Sequence, residues 1–308
     1  MPILTRFIFI FLAAFCLTPW ASPPLALFMG IAAAFTIKNP YPNQSRSISK
    51  KLLQFSVVGL GFGMNLHSSL EAGKEGMVFT IISVLGTMCL GILLGKLLKV
   101  EFNTAYLVSS GTAICGGSAI AAIAPVTGAK SHQISVAMGT VFILNAIALF
   151  IFPPIGHFFG LTQEQFGLWA AIAIHDTSSV VGAAANYGEK ALEIATLVKL
   201  TRALWIIPLV LISSLFFKAE SKKKYVPWFI LFFVLAMIAN TFIPMLAESG
   251  FSSFMSQLAR RGLTLTLFLI GAGLSRAMLK EVGFHPMFLG VALWAFIGTG
   301  SLFFILKF

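Results

Sequence analysis

Residues 104–125 read TAYLVSSGTAICGGSAIAAIAP. The stretch is apolar enough, and long enough, to cross a bilayer as one helix, for which roughly 17–25 residues suffice. Its centre works against that. Gly111, Gly116 and Gly117 are poor helix-interior residues, and Thr112, Cys115 and Ser118 are small and weakly polar. In hydrocarbon a broken helix leaves backbone groups without partners. A break is therefore tolerated only where protein covers it or where it lines a cavity. The pattern predicts a discontinuous helix. Beyond the break a new helix starts, its first N–H groups and positive dipole end facing the gap, and such an end attracts anions. Gly116 and Gly117 let the backbone approach a ligand, and Ser118 is placed to cap the new helix. The competing reading is an unbroken helix whose small residues serve close helix packing.

The rest of the chain supplies the setting. Of its 308 residues, 58% are hydrophobic and 10% charged. Soluble domains carry roughly 25% charged residues, so too few polar side chains remain to cover a soluble surface. Runs such as VFILNAIALFIF (141–152) do not alternate as barrel strands must. An all-α polytopic membrane protein is expected, as a single membrane-embedded unit over 1–308. Eleven apolar segments lie near 5–20, 23–37, 51–70, 76–98, 104–125, 132–154, 164–187, 190–217, 225–246, 262–279 and 284–306. That predicts 10–11 transmembrane helices, two of them discontinuous. Arg6 ahead of the first run, which ends near WAS (20–22), resembles a signal peptide. A second run follows at once, so a retained hairpin is expected. Residues 248–261 read as a short interfacial helix or a plain loop.

The net charge is +11. The basic residues concentrate between apolar runs, where they set orientation, and nucleic acid is not expected as a partner. With the N-terminus in the cytoplasm, thirteen of the 21 Lys and Arg fall inside and six outside, with Lys199 and Arg202 inside a span. This obeys the positive-inside rule and puts the C-terminus outside. Cys16, Cys89 and Cys115 form no metal or disulfide spacing. No cofactor is implied.

A second stretch, AIHDTSSVVGAAA (173–185), puts His175 and Asp176 between apolar runs, followed by Thr177, Ser178 and Ser179. An ionisable residue deep in a span marks function by default, and Asp-Thr-Ser-Ser is a good helix start. A polar loop near one membrane face is the plainer reading. A third, LVKLTRALWIIP (197–208), puts Lys199 and Arg202 on one helix face, Lys199 roughly 13 Å along from residue 190. Asp176 is expected to neutralise one cation and a bound anion the other; a purely structural salt bridge between the helices is the alternative. His175 has the chemistry of a proton carrier. Asn65 and Asn145 are mid-span amides that line a path or bond across helices.

Two internal echoes are visible. GLGFGM (59–64) resembles GAGLSR (271–276), and CGGSAIAAIA (115–124) resembles DTSSVVGAAA (176–185) at an offset of 61. Duplicated halves are common in secondary transporters, although the two offsets do not define one tandem duplication.

Taken together, SSGTAICGGSAIAAIAP (109–125), HDTSSVVGAAA (175–185), VKLTRALWIIP (198–208) and GFGMNL (61–66) resemble the YeiH-like family of bacterial inner-membrane proteins, labelled sulfate exporters. The resemblance runs in order over roughly residues 20–305. It implies export of sulfate or a related sulfur oxyanion across the inner membrane. The broken helices are also similar to those of sodium–bile-acid and sodium–proton transporters, which implies a core moving against a scaffold, with an inverted repeat and a scaffold-mediated homodimer.

The expected function is secondary transport of a small anion. Thr112, Cys115, Gly116, Gly117, Ser118, Thr177, Ser178, Ser179, Lys199 and Arg202 would form the binding site, with His175 and Asp176 as coupling or counter-ion groups. Proton- or sodium-coupled uptake of an organic acid is the alternative, and an anion channel a weaker one. An enzyme is not expected: no HExxH metal motif is present, and His175, Asp176 and Ser178 are too close together for the usual hydrolytic arrangement. Nor is there a phosphate loop for an ATP-driven pump.

Overall fold

A computed structural model describes residues 3–37, 39–217, 228–273 and 282–307, with the backbone alone at 68–79 and 247–248. Seven of the thirteen Lys and Arg counted inside, Lys38, Lys218, Lys222, Lys223, Lys224, Arg276 and Lys280, lie outside the described residues, as does the end of GAGLSR. Every regular element among the described residues is a helix. In chain order they are α1 (Ile3–Phe15), α2 (Pro23–Thr36), α3 (Pro42–Gly61), α4 (Leu66–Leu97), α5 (Phe102–Ala113), α6 (Gly117–Thr127), α7 (Ser131–Phe158) and α8 (Gln163–Ala173). There follow α9 (Thr177–Tyr187), α10 (Glu189–Ala203), α11 (Ile206–Phe216), α12 (Trp228–Phe242), α13 (Pro244–Glu248), α14 (Phe251–Gly273) and α15 (Phe284–Lys307).

Four of these are membrane-length and apolar: Thr80–Leu97, Ser131–Phe158, Phe284–Lys307, and α10 with α11 as one 28-residue span. Shorter apolar helices, α1, α2, α6 and α12 among them, accompany them. The surface is rich in large apolar side chains. Phe7 is 74% exposed and Leu215 83%. Patches of that kind are costly in water and ordinary in lipid. The chain is an all-α polytopic membrane protein.

The helices sort into two groups. In the first, a panel, α14 lies against both α2 and α3, and α3 also meets α12. Glycine permits the close approach of α2 and α14: a Cβ on Gly30 would strike the Phe268 carbonyl, and one on Gly271 would come within 2.6 Å of the Leu27 carbonyl. The second group, the core, contains α4 to α11 and α15. The groups meet chiefly where α9 touches α2 and α14, and where α12 touches α4.

Inside the core the two broken segments do not run straight through. The segments at 104–125 and 164–187 are discontinuous, as expected, and each turns back on itself at its break. The Asn103 side-chain amide at the start of α5 donates to the Thr127 carbonyl at the end of α6, at 3.4 Å. A continuous helix would hold those residues roughly 36 Å apart. Likewise the Tyr187 hydroxyl at the end of α9 donates to the Leu161 carbonyl ahead of α8 at 2.7 Å, and the Tyr187 ring stacks on Phe166 at 3.8 Å. Both pairs are re-entrant hairpins.

They enter from opposite ends. α7 leaves the base of the first hairpin, where Glu101 accepts from Gln133 at 2.9 Å, and ends beside Leu161 at the base of the second. Its 28 residues span about 42 Å. The α10–α11 span then returns. It starts where the Lys190 amide donates to Gln163 at 3.0 Å and ends where Tyr106 and Ser213 share a 2.7 Å hydrogen bond. Hairpin plus 28-residue span thus occurs twice in opposite orientation, which is the structural content of the echo at offset 61. The physical cause of the first reversal is Gly116, with φ +61° and ψ −125°, a conformation that side-chain-bearing residues avoid.

Candidate functional site at the hairpin tips

The two tips, residues 114–116 and 174–176, meet in the interior of the core. A Cβ on Gly116 would lie 3.4 Å from both the Asp176 Cβ and the His175 carbonyl oxygen. Each tip carries the C-terminal end of one half-helix and the N-terminal end of the next. The C-terminal ends present orphan carbonyls with partial negative charge.

Lys199 and Arg202, both fully buried on α10, bind those carbonyls. Lys199 Nζ donates to Ile174 at 2.7 Å and to Ala171 at 3.3 Å. Arg202 Nε donates to Ala113 at 2.7 Å and Nη1 to Ile172 at 3.0 Å. Arg202 thereby ties both hairpins together. The expected Asp176 ion pair is not formed: no Asp176 partner lies within salt-bridge distance among the described residues. The cations answer helix dipoles instead.

Asp176 serves its own helix. It is the N-cap of α9, accepting from the Ser178 amide at 3.1 Å and also bonding the Ser178 hydroxyl. Thr177, Ser178 and Ser179 are all buried in the first turn. Asn145, on α7, bonds across helices. Its Oδ1 accepts from the His175 amide at 3.0 Å and the Asp176 amide at 3.2 Å, fixing the second tip.

The first tip is built differently. α6 starts at Gly116 with no side-chain cap, so Ser118 does not play its expected capping role. Ser118 is exposed, and the Cys115 thiol lies against its hydroxyl and the Ala119 amide. Gly117 lies against Phe142 and Met138 of α7. With Asp176 only half-buried, the meeting point of the tips is not sealed on all sides.

Several buried polar atoms around the tips have no partner: Thr112 Oγ1, Asn145 Nδ2, both His175 ring nitrogens and Arg202 Nη2. Orphaned buried donors and acceptors carry a desolvation cost of about 1–3 kcal/mol each. Arg202 and Lys199 lie close enough to the His175 ring to interact electrostatically. The site therefore offers an unused guanidinium N–H and an unused amide N–H in a positive environment, beside hydroxyls and a carboxylate. Among the described residues no cluster has the composition of a metal site. Sequence reasoning missed Gln133 and Tyr187, which hold the hairpin bases, because only the tertiary fold brings them to their partners.

Comparison with known proteins agrees with a membrane protein. The family model described as conserved hypothetical protein 698 matches residues 5–290. A UPF0324 membrane protein of Bacteroides thetaiotaomicron is 57% identical over 93% of this chain and 87% of its own length. A UPF0324 membrane protein of Porphyromonas gingivalis is 55% identical over 94% of this chain and 88% of its own. One from Vibrio parahaemolyticus is 49% identical over 94% of both. No solved structure matches. With a family model spanning nearly all of its length, and relatives of this identity, the chain belongs to the conserved hypothetical protein 698 family of UPF0324 membrane proteins, the YeiH-like family its motifs resemble.

Proposed function

We propose that the protein is a secondary transporter of a small anion, sulfate or a related sulfur oxyanion, working by alternating access and not by catalysis. One observation carries the reading: two re-entrant hairpins from opposite ends meet tip to tip, at a buried cluster where Arg202 Nη2 and Asn145 Nδ2 are donors without partners. Oppositely inserted repeats with half-helix ends at mid-membrane suit a binding site exposed alternately to either side. Arg202 suits a planar or tetrahedral oxyanion. Lys199 adds positive field while it bonds the tip carbonyls. Thr112, Cys115, Gly116, Gly117 and Ser118 line the first tip; Thr177, Ser178 and Ser179 line the second. Asp176 with His175 is the coupling group, for a proton in preference to sodium: the carbonyls a sodium ion would seek at the tips are held by Lys199 and Arg202. The panel is the scaffold, and a homodimer through it belongs to the same reading.

The end holding the first hairpin's base is cytoplasmic in this proposal, in a bacterial inner membrane. Arg46, Lys96, Lys99 and Lys130 gather at that end. Lys130 stands there because α5 and α6 do not cross. The N-terminus is then inside and the C-terminus outside.

The test is flux of sulfate, sulfite and a sulfonate in liposomes, with wild type and Asn145→Asp. Aspartate keeps the oxygen that holds the second tip, removes the free donor and adds negative charge. Saturable oxyanion flux that falls at least tenfold in this variant supports the reading. Flux of organic acids driven by sodium, with no oxyanion flux, would replace it with the symporter.

A further inference from the structure

Between core and panel, at the end that holds the second hairpin's base, lies a cavity of ≈ 340 Å³. Its walls include Glu189, Glu193 and Thr196 of α10, and Ser256 and Arg260 of α14. Arg260 also lines a neighbouring cavity of ≈ 220 Å³ between α9 and α14. It therefore stands on the divide between two openings at the boundary where core and panel meet.

The charges around Arg260 are arranged in pairs. Lys190 is bonded by Glu193 on its own helix at 3.1 Å. Arg260 Nη1 meets Glu189 Oε1 at 3.3 Å, a single contact reaching from panel to core. The Glu189 side chain is 87% exposed and that of Arg260 39%. An exposed one-point ion pair contributes little and exchanges readily. The Glu189 carboxylate is, in chemical terms, a tethered oxyanion resting on the guanidinium. α10 then leads inward: Glu189, Glu193 and Thr196 follow one another at helical spacing, and Lys199 of the tip site comes one turn later.

We propose that this cavity is a second, outer binding site for the transported oxyanion, with Arg260 its specificity-determining residue and Glu189 a competitor that the substrate displaces. The inference rests on the transport reading and deepens it. Displacement of Glu189 breaks a contact between core and panel, so occupancy of this site loosens that boundary.

The experiment is sulfate flux in liposomes with oriented protein, reading KM separately from each face, for wild type, Arg260→Gln and Glu189→Gln. Arg260→Gln is expected to raise KM at least fivefold from the face bearing the cavity, with KM from the other face within twofold. Glu189→Gln is expected to lower KM two- to fivefold from the same face, since it frees Arg260. Opposite signs cannot arise from the loss of a merely structural salt bridge, which both variants remove alike. Equal effects of the two variants, or none on that face while wild type transports sulfate, overturn the outer site and leave the tip site standing. Absence of oxyanion flux in wild type overturns both.

Discussion

Arg202 is the residue on which the interior turns, and its bonds go to the chain itself. Its guanidinium closes the end of α5 and the end of α8 together. From the sequence, Arg202→Ala is expected to lose substrate and keep its fold. The carbonyls it holds change that expectation. The variant leaves two buried helix ends unanswered and is expected to lose stability on the order of 3 kcal/mol, read as a large fall in the thermal unfolding midpoint in detergent. Arg202 is thus a poor probe of binding, and Asn145 a better one. Asn145→Leu strips acceptors from the His175 and Asp176 amides, at about 1–3 kcal/mol for each buried amide, whereas Asn145→Asp preserves them. Stability should fall in the first variant through the lost acceptors, and on the proposed transport reading flux should be lost in both. Gly116→Ala places a side chain at φ +61° within 3.2 Å of Val141 Cγ1. Its expected cost is about 1–3 kcal/mol, checked by the same unfolding measurement.

At the scale of elements, the hairpins make a prediction that straight helices would fail. In a background free of Cys16, Cys89 and Cys115, a pair of cysteines at Asn103 and Thr127 should join under mild oxidation, because these residues bond at the hairpin base. In a continuous helix they would be roughly 36 Å apart and could not. The measurement is a mobility shift on a reducing versus a non-reducing gel. The same base carries a titration. The Gln133 amide donating to Glu101 holds that carboxyl below its usual range, with His132 and Lys130 adding to the effect. Since the native value is the lower one, the stabilisation is present above the unfolded value and is lost as pH falls through the native one. The unfolding midpoint of wild type should therefore exceed that of Gln133→Leu at neutral pH, and the gap should narrow in acid to the pH-independent part that Gln133 contributes by accepting from the Lys130 amide at 2.8 Å.

At the scale of the whole molecule, two opposite hairpin-and-span units sit beside a panel that touches them along a restricted boundary. On the proposed transport reading, rigid movement of one body against the other is the economical way to expose the tips to either side. The reversed hairpins also redistribute charge. Lys130 joins Lys96 and Lys99 at one end, while Lys190, Arg260 and Arg261 remain at the other. Single cysteines at Lys130 and Lys190 should accordingly react with an impermeant maleimide from opposite faces of the membrane, and cysteines at Lys99 and Lys130 from the same face.

Some of this was decided by the sequence by itself. Apolar runs, scarce charge and glycine-weakened centres are local properties, and they suffice to predict a helical membrane protein interrupted at 111–118 and 176–179. The echo at offset 61 was legible for the same reason, because repeated breaks leave repeated small residues. Whether a break continues or reverses is another matter. It depends on one backbone angle at Gly116 and on contacts such as Asn103 to Thr127, 24 residues apart. The partners of Lys199 and Arg202 are equally non-local. A buried cation needs negative charge, and sequence spacing points to the nearby carboxylate of Asp176. The fold offers the helix ends of α5 and α8, which carry no signature in side-chain chemistry because their charge is that of the backbone. Only the tertiary structure brings those ends together, and with them the site.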